Sequence, residues 1–309
     1  MSRICFRALH PALALLLVFA SCGLASAGPL RSYIALGDSV AYGQTDVVPV
    51  SNGDQGYVKH FADGLAKSNG GVRPNVINLA IPGEQSTSFF TGVAPPGWVR
   101  AAGVNLNYAD PTKSQLSMFQ TFAAAEHAQG HVISHVSFAL GSNDFFYLTG
   151  QPGFFELPAA QQQAQAGQTF AVLQANYAAA LGEIRAAAPE AQLLLLNYYN
   201  PFAVLGPDDP LNQSALVFGA LHQQLLEAAA AEFDGRVVDV YTPFLGKEAA
   251  YTHILSGDVH PNEQGYQAMA DQMLAVANAP EPSSLLLVGI GVCGLAGYRF
   301  RRGGRSARN

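Results

Sequence analysis

The stretch Tyr33-Ile34-Ala35-Leu36-Gly37-Asp38-Ser39-Val40-Ala41-Tyr42-Gly43 decides the fold. Its first four residues are continuously apolar and too few for a helix, the pattern of a strand buried on both faces. Gly37-Asp38 breaks the run, and a hydroxyl-bearing residue follows where a parallel strand opens into a crevice. Further short apolar runs stand at residues 76–80, 136–140, 193–196 and 237–240. Helical patterns separate them at 57–67, 115–128, 159–188, 212–233 and 264–277. Within 212–233, Leu221, Leu225, Ala228 and Ala229 share one face at i, i+4, i+7, i+8 spacing. Alternating strands and helices predict an α/β domain with a parallel sheet, right-handed crossovers and helices on both faces. Residues 89–111, with the single Trp98, and 145–158, with Phe145, Phe146, Tyr147, Phe154 and Phe155, fall outside this rhythm. Both follow strand ends and read as loops that either pack locally or line a substrate.

Outward from the sheet, the chain of 309 residues is 49% apolar and 12% charged, enough apolar content for a sizeable core. No collagen, heptad or solenoid period is present. Residues 1–27 carry Arg3 and Arg7, an apolar run at 12–20 and then Ala25-Ser26-Ala27, the layout of a secretory signal. Lipid attachment at Cys22, in Phe19-Ala20-Ser21-Cys22, is the alternative. Residues 280–309 begin with Pro280-Glu281-Pro282, continue with an apolar stretch at 285–297, and end among Arg299, Arg301, Arg302, Arg305 and Arg308. One reading is a membrane anchor with positive-inside arginines, although the stretch is short for a span of ~20 residues. Its order of parts resembles the PEP-CTERM sorting tail. That resemblance implies handling by exosortase-type machinery in a Gram-negative bacterium. The destination would be the periplasm, the cell surface or the medium, with a transient or permanent membrane anchor. The working domain is then 28–279.

Arg3, Arg7 and the five tail arginines leave nine of the 16 basic residues in 28–279. Only Glu281 leaves among the 22 acids, so this segment keeps 21 and carries a net charge of −12. Such a surface repels phosphate backbones, which excludes a nucleic-acid partner. The three cysteines, Cys5, Cys22 and Cys293, all lie in the end segments, so no disulfide or thiol chemistry is expected of the domain.

The chemistry-bearing residues sit where the predicted strands end. Ser39 can point its hydroxyl into the crevice near backbone N–H groups, although Gly-Asp-Ser alone is also a common turn. Ala41 replaces the second glycine of a G-x-S-x-G elbow, which disfavours that arrangement. A serine needs a base. His10 lies in the leader, His127, His131 and His135 flank a helix end and a strand start, and His60 and His222 fall within helices. His260, in Gly257-Asp258-Val259-His260-Pro261-Asn262, precedes the last helix, with His253 as its rival. An oxyanion needs several donors. Asn78-Leu79-Ala80-Ile81-Pro82-Gly83 offers a close backbone approach at Gly83, and Gly141-Ser142-Asn143-Asp144 offers an amide side chain. No histidine pair has helical metal-ligand spacing with a third ligand, so no metal is expected.

Ser39, Gly83, Asn143 and His260 occur in this order, and over about residues 33–277 the chain resembles the GDSL, or SGNH, hydrolase family. The resemblance implies a flavodoxin-like three-layer α/β/α fold with strand order 2-1-3-4-5. It implies Ser39 as nucleophile and backbone donor, Gly83 N–H and the Asn143 side chain as the other oxyanion donors, and His260 as general base and then acid. It also implies that no cofactor is needed. One departure stands out. The family's last block is Asp-x-x-His, yet Gly257 is three residues before His260 and Asp258 only two. Asp258 is the expected partner of the imidazole, and a backbone carbonyl is the alternative.

The sequence therefore predicts an exported serine esterase of the lipase type, acting on a small-molecule, lipid or glycan ester. The aromatic stretches favour an acyl chain, as in lysophospholipases. The sorting tail and acidic surface favour an O-acetylated polysaccharide as the second substrate class. From another class, a catalytically silent glycan-binding domain is the rival, against which the intact Ser39, Asn143 and His260 argue.

Overall fold

The computed structural model describes residues 30–279. The expected leader and sorting tail, with the three cysteines, lie outside the described residues. Five strands form one sheet: β1 (Arg31–Gly37), β2 (Asn75–Asn78), β3 (Val132–Ala139), β4 (Gln192–Leu196) and β5 (Gly235–Val238). Every neighbouring pair is parallel, as the apolar pattern predicts, and the order is β2-β1-β3-β4-β5, as the family resemblance implies. Tyr33 pairs with Val76, Val136 with Leu193 and Leu195 with Val237. β3 starts four residues before its apolar run, and His135 lies inside it, edge-on to Phe61, rather than at a strand start.

Nine α-helices occur among the described residues: α1 (Ser39–Tyr42), α2 (Gly56–Ser68), α3 (Ser88–Thr91), α4 (Gln115–Ala128), α5 (Ser142–Thr149), α6 (Ala159–Ala187), α7 (Pro210–Glu232), α8 (Glu248–Tyr251) and α9 (Glu263–Ala277). Side chains alternate across each strand, so the sheet feeds two cores. Ile34, Leu36, Val136, Phe138, Leu193 and Leu195 pack with Phe119 of α4, Leu173 and Tyr177 of α6, and Leu226 of α7. Tyr33, Ala35, Leu194, Leu196 and Val238 pack with Phe61 of α2 and with Met269 and Met273 of α9. Helix starts follow their caps. Asp209 accepts the N–H groups of Leu211 and Asn212 with Pro210 in the first turn, and Asn262 accepts those of Gln264 and Gly265.

Residues 145–158 are not wholly a loop, because α5 takes in Phe145, Phe146 and Tyr147. Its eight residues carry adjacent rather than periodic apolar positions, so the helical pattern is hidden. Phe145 joins Tyr198, Phe202 and Ala215 in a third, small core above the carboxyl edge of the sheet. Residues 89–111 are irregular apart from the end of α3 and a short 3-10 turn at Ala102–Val104. Among the described residues no helix is long and apolar enough to cross a membrane.

Candidate active site

Ser39 is the first residue of α1, immediately beyond β1. Asp38 caps that helix by accepting the Val40 N–H at 2.9 Å, and the Ser142 hydroxyl donates to its other oxygen. Asp38 is buried, and loss of water pushes its pKa above the ordinary carboxylate value against the pull of these donors and of His260. Since Ser142 adjoins Asn143, Asp38 ties the serine turn to α5. Gln115, buried at the start of α4, holds the preceding residue. Its Oε1 accepts the Gly37 N–H at 2.6 Å, and its Nε2 donates to the Gly37 carbonyl at 2.9 Å and to Glu84 at 3.1 Å.

His260 lies on a loop fixed at both ends. Thr252 and Pro261 form an isolated antiparallel bridge, the His253 N–H donates to the His260 carbonyl at 3.0 Å, and Asn262 caps α9. The Tyr199 hydroxyl donates to the Val259 carbonyl at 2.9 Å from below. His260 Nε2 lies 2.8 Å from Ser39 Oγ. Its Nδ1 lies 2.5 Å from Asp258 Oδ1, and the same oxygen accepts the His260 backbone N–H at 3.0 Å. A carboxylate on Nδ1 requires the proton there and leaves Nε2 as the acceptor that faces the serine. Gly257 occupies a left-handed position with φ of 84°, which glycine adopts more readily than any residue with a Cβ. Asp258 reaches the ring because that glycine turns the chain one residue later. His253 is not among the residues lining the cavity that His260 faces.

Gly83 and Asn143 line the same cavity as Ser39 and His260, of about 300 Å³, with Leu140, Leu196, Phe146 and Tyr198 among its apolar lining. A Cβ on Gly83 would fall 1.9 Å from the Val99 carbonyl oxygen, so only glycine fits, and its φ of 80° also suits only glycine. Its carbonyl accepts the Trp98 indole N–H at 2.8 Å, while its own N–H donates to no acceptor among the described residues. The Asn143 Nδ2 donates to the Glu84 carbonyl at 2.9 Å, which leaves its second N–H available. The Ser39 N–H, at the first position of a helix, has no intrahelical acceptor. The residues that carry these three donors all line the cavity.

A polar frame that the motif blocks do not reveal joins these segments. Gln85 Nε2 donates to the Asn143 carbonyl at 3.0 Å. The Ser86 N–H and hydroxyl donate to the Asp144 carboxylate at 3.0 and 2.6 Å. Burial pushes the Asp144 pKa up to about 6 despite those donors. Glu84 is wholly buried against Arg100, with Nε–O distances of 2.9 and 3.1 Å, and also accepts from Gln115 and the Ser88 hydroxyl. Burial still holds its carboxyl above the usual range. His222, on α7, lines the deep side of the cavity with Nε2 3.1 Å from the Tyr177 hydroxyl, and burial lowers its pKa to about 4. The one sequence signal for this frame is the position of Glu84, directly after Gly83, and of Asp144, three residues beyond Gly141 in the first turn of α5.

A family described as GDSL-like Lipase/Acylhydrolase matches residues 35–268, and the PEP-CTERM protein-sorting motif matches residues 278–302. The spore germination lipase LipC of Bacillus licheniformis is 34% identical over 106 residues, which is 33% of this chain and 46% of that lipase. The chain thus matches about half the length of that curated relative. Among solved structures, the lipase Lip_vut3 from a goat rumen metagenome is similar with a TM-score of 0.55 at 19% identity, covering 81% of this chain and 97% of that one. The extracellular lipase of Streptomyces rimosus gives 0.50 at 18% identity, covering 80% and 99%. An acetylxylan esterase from Geobacillus stearothermophilus gives 0.50 at 16% identity, covering 82% and 96%. At these identities the solved structures establish the shared fold. The chain belongs to the GDSL-like lipase/acylhydrolase family.

Proposed function

We propose that this protein is an exported serine esterase for acyl esters, in which Ser39, His260 and Asp258 work as a relay. The contact of 2.8 Å between Ser39 Oγ and His260 Nε2, with Asp258 on the far ring nitrogen, carries the proposal. Ser39 Oγ attacks the ester carbonyl while His260 Nε2 takes its proton, and Asp258 stabilises the imidazolium that forms. The oxyanion rests among the Ser39 N–H, the Gly83 N–H and the free N–H of Asn143. His260 then gives its proton to the departing alcohol. A water, deprotonated by the same nitrogen, attacks the acyl-enzyme and releases the acid.

The apolar lining from Leu140, Phe146, Leu196 and Tyr198 favours an apolar acyl group over a sugar in the part of the cavity nearest the serine. The sorting motif at residues 278–302 supports export and surface sorting, with 28–279 as the working domain. The test compares hydrolysis of an ester series of increasing acyl length, and of an acetylated glycan, by the protein and by its Ser39→Ala variant. The proposal expects turnover that depends on acyl length and falls by several orders of magnitude in the variant. Near-normal turnover after Ser39→Ala refutes the nucleophile, and activity confined to the acetylated glycan refutes the substrate class.

A further inference from the structure

Because all five strands run parallel, every segment that follows a strand emerges at the same edge, the edge that holds the cavity. Large apolar side chains point into solvent along that edge. Val47 and Val50 follow β1, Val99 follows β2, Leu205 follows β4, and Leu245 and Leu255 follow β5, each between 49% and 77% exposed. Most of them are tied to the site. Val50 follows Pro49, whose carbonyl accepts the Tyr42 hydroxyl at 2.7 Å. Val99 belongs to the segment whose backbone closes over Gly83. Leu205 ends the 3-10 turn that begins at the cavity-lining Pro201, and Leu255 follows Ile254, which packs on the small core of Phe145 and Phe202. Helices α2, α4 and α9 expose no large apolar side chain among the described residues.

Isolated exposed valines and leucines are ordinary, but a rim of them around the mouth of an apolar cavity marks a surface that meets another apolar phase. We propose that this rim is a docking face for an electrically neutral lipid surface, on which the apolar side chains insert and the cavity opens toward the lipid. The charges select the surface. The exposed ionic groups of these loops include Asp46, Asp110, Glu156 and Asp208 against Lys113 and Lys247, and residues 28–279 carry net −12. Nothing there draws an anionic bilayer, and an acidic rim is repelled by one. Insertion thus rests on apolar area alone.

This inference deepens the esterase reading by naming how the substrate is presented, and its test is independent of turnover. Ser39→Ala protein is mixed with phosphatidylcholine vesicles, and binding is read by flotation and by the emission of Trp98, the only tryptophan, whose indole bonds the Gly83 carbonyl. The rim variant adds Val47→Asp, Leu205→Asp and Leu255→Asp. The control adds Leu30→Asp and Val72→Asp, 60% and 58% exposed, which precede β1 and β2 and so lie at the opposite edge of the sheet. Binding to neutral vesicles is expected to weaken by about tenfold for each rim substitution and to be unchanged in the control. Vesicles containing phosphatidylglycerol are expected to bind more weakly at low salt. With Ser39 intact, the rim variant is expected to keep its turnover of a dissolved short-chain ester.

Several results would overturn the inference. One is no association of the parent protein with neutral vesicles. Others are equal binding by the rim and control variants, or a preference for the anionic vesicles. Self-association in lipid-free solution that the rim substitutions abolish would assign the face to a second copy instead. Loss of ester turnover with vesicle binding intact would count against the esterase reading and leave the docking face standing.

Discussion

Replacing Asp258 by Asn tests how far the imidazole depends on a carboxylate placed one residue later than the family's usual position. In serine hydrolases where such an amide turns its NH2 toward the ring, the wrong tautomer forms and the rate falls by about 10⁴. Here the amide has a reason not to turn. Asp258 Oδ1 accepts both the ring Nδ1–H and the backbone N–H of His260, at 2.5 and 3.0 Å. An asparagine that keeps its oxygen toward those two donors preserves the tautomer, so only the charge is lost. An ion pair with charge centres ~4 Å apart is worth about 4 kcal/mol at a protein surface and about 1 kcal/mol in water. The side chains of His260 and Asp258 are 13% and 25% exposed, which puts the pair toward the first limit. The loss is therefore about 2–4 kcal/mol, a fall in kcat of roughly 30- to 1000-fold. Steady-state hydrolysis of a chromogenic acyl ester across pH 6–9 measures it, with KM little changed. A variant within threefold of wild type would refute the carboxylate's role and return the imidazole to a backbone carbonyl. A loss beyond ~10⁴ would refute the argument that the backbone N–H holds the amide in place.

Asn143→Ala should lower kcat by about 10²–10³ with KM nearly constant, because the oxyanion exists only in the transition state; a raised KM at unchanged kcat would make Asn143 a substrate-binding group. Gln115→Ala strips buried partners from both backbone groups of Gly37 and from Glu84, and should cost about 3 kcal/mol of unfolding free energy, read from urea midpoints at constant m. Asp144 has a folded pKa raised from 3.8 to about 6. Its neutral form is thus the one the fold favours, so its contribution to stability is full below about pH 4 and is lost as pH rises through 6. Thermal unfolding of Asp144→Asn compared with wild type over pH 4–7 should show the variant without that fall, and parallel curves would contradict the assignment. Gly257→Asp in the Asp258→Asn background should not restore activity, because the position has φ of 84°, and restored turnover would show that the loop can adopt the family's usual spacing.

The parallel sheet was legible because its strands are short, continuously apolar runs between long helical segments, whereas its order came with the family resemblance. Ser39, Gly83, Asn143 and His260, which line one cavity, stood out only together and in order, each after a strand end or before the last helix, and their expected roles came with the family resemblance. The helical state of Ser142–Thr149 was not legible, since Phe145, Phe146 and Tyr147 are adjacent and carry no 3.6-residue period. Nor was the frame around the site. Gln115 reads in sequence as an ordinary first-turn residue of α4, and only the tertiary structure brings its amide beside Gly37, 78 residues away. Asp258 lay between. The residue was in view, but its fitness depended on Gly257 adopting a left-handed turn that spacing alone does not encode.

The partners at the centre of the site, Ser39 and His260, are 221 positions apart, with four of the five strands between them. The base arrives with the final loop, and α9 must dock against α2 to hold that loop in place. A nascent or partly threaded chain, therefore, presents a serine with no base, whatever else has folded. On the proposed mechanism, hydrolytic power comes late in biogenesis and all at once, and a chain that crosses a membrane extended does so inert.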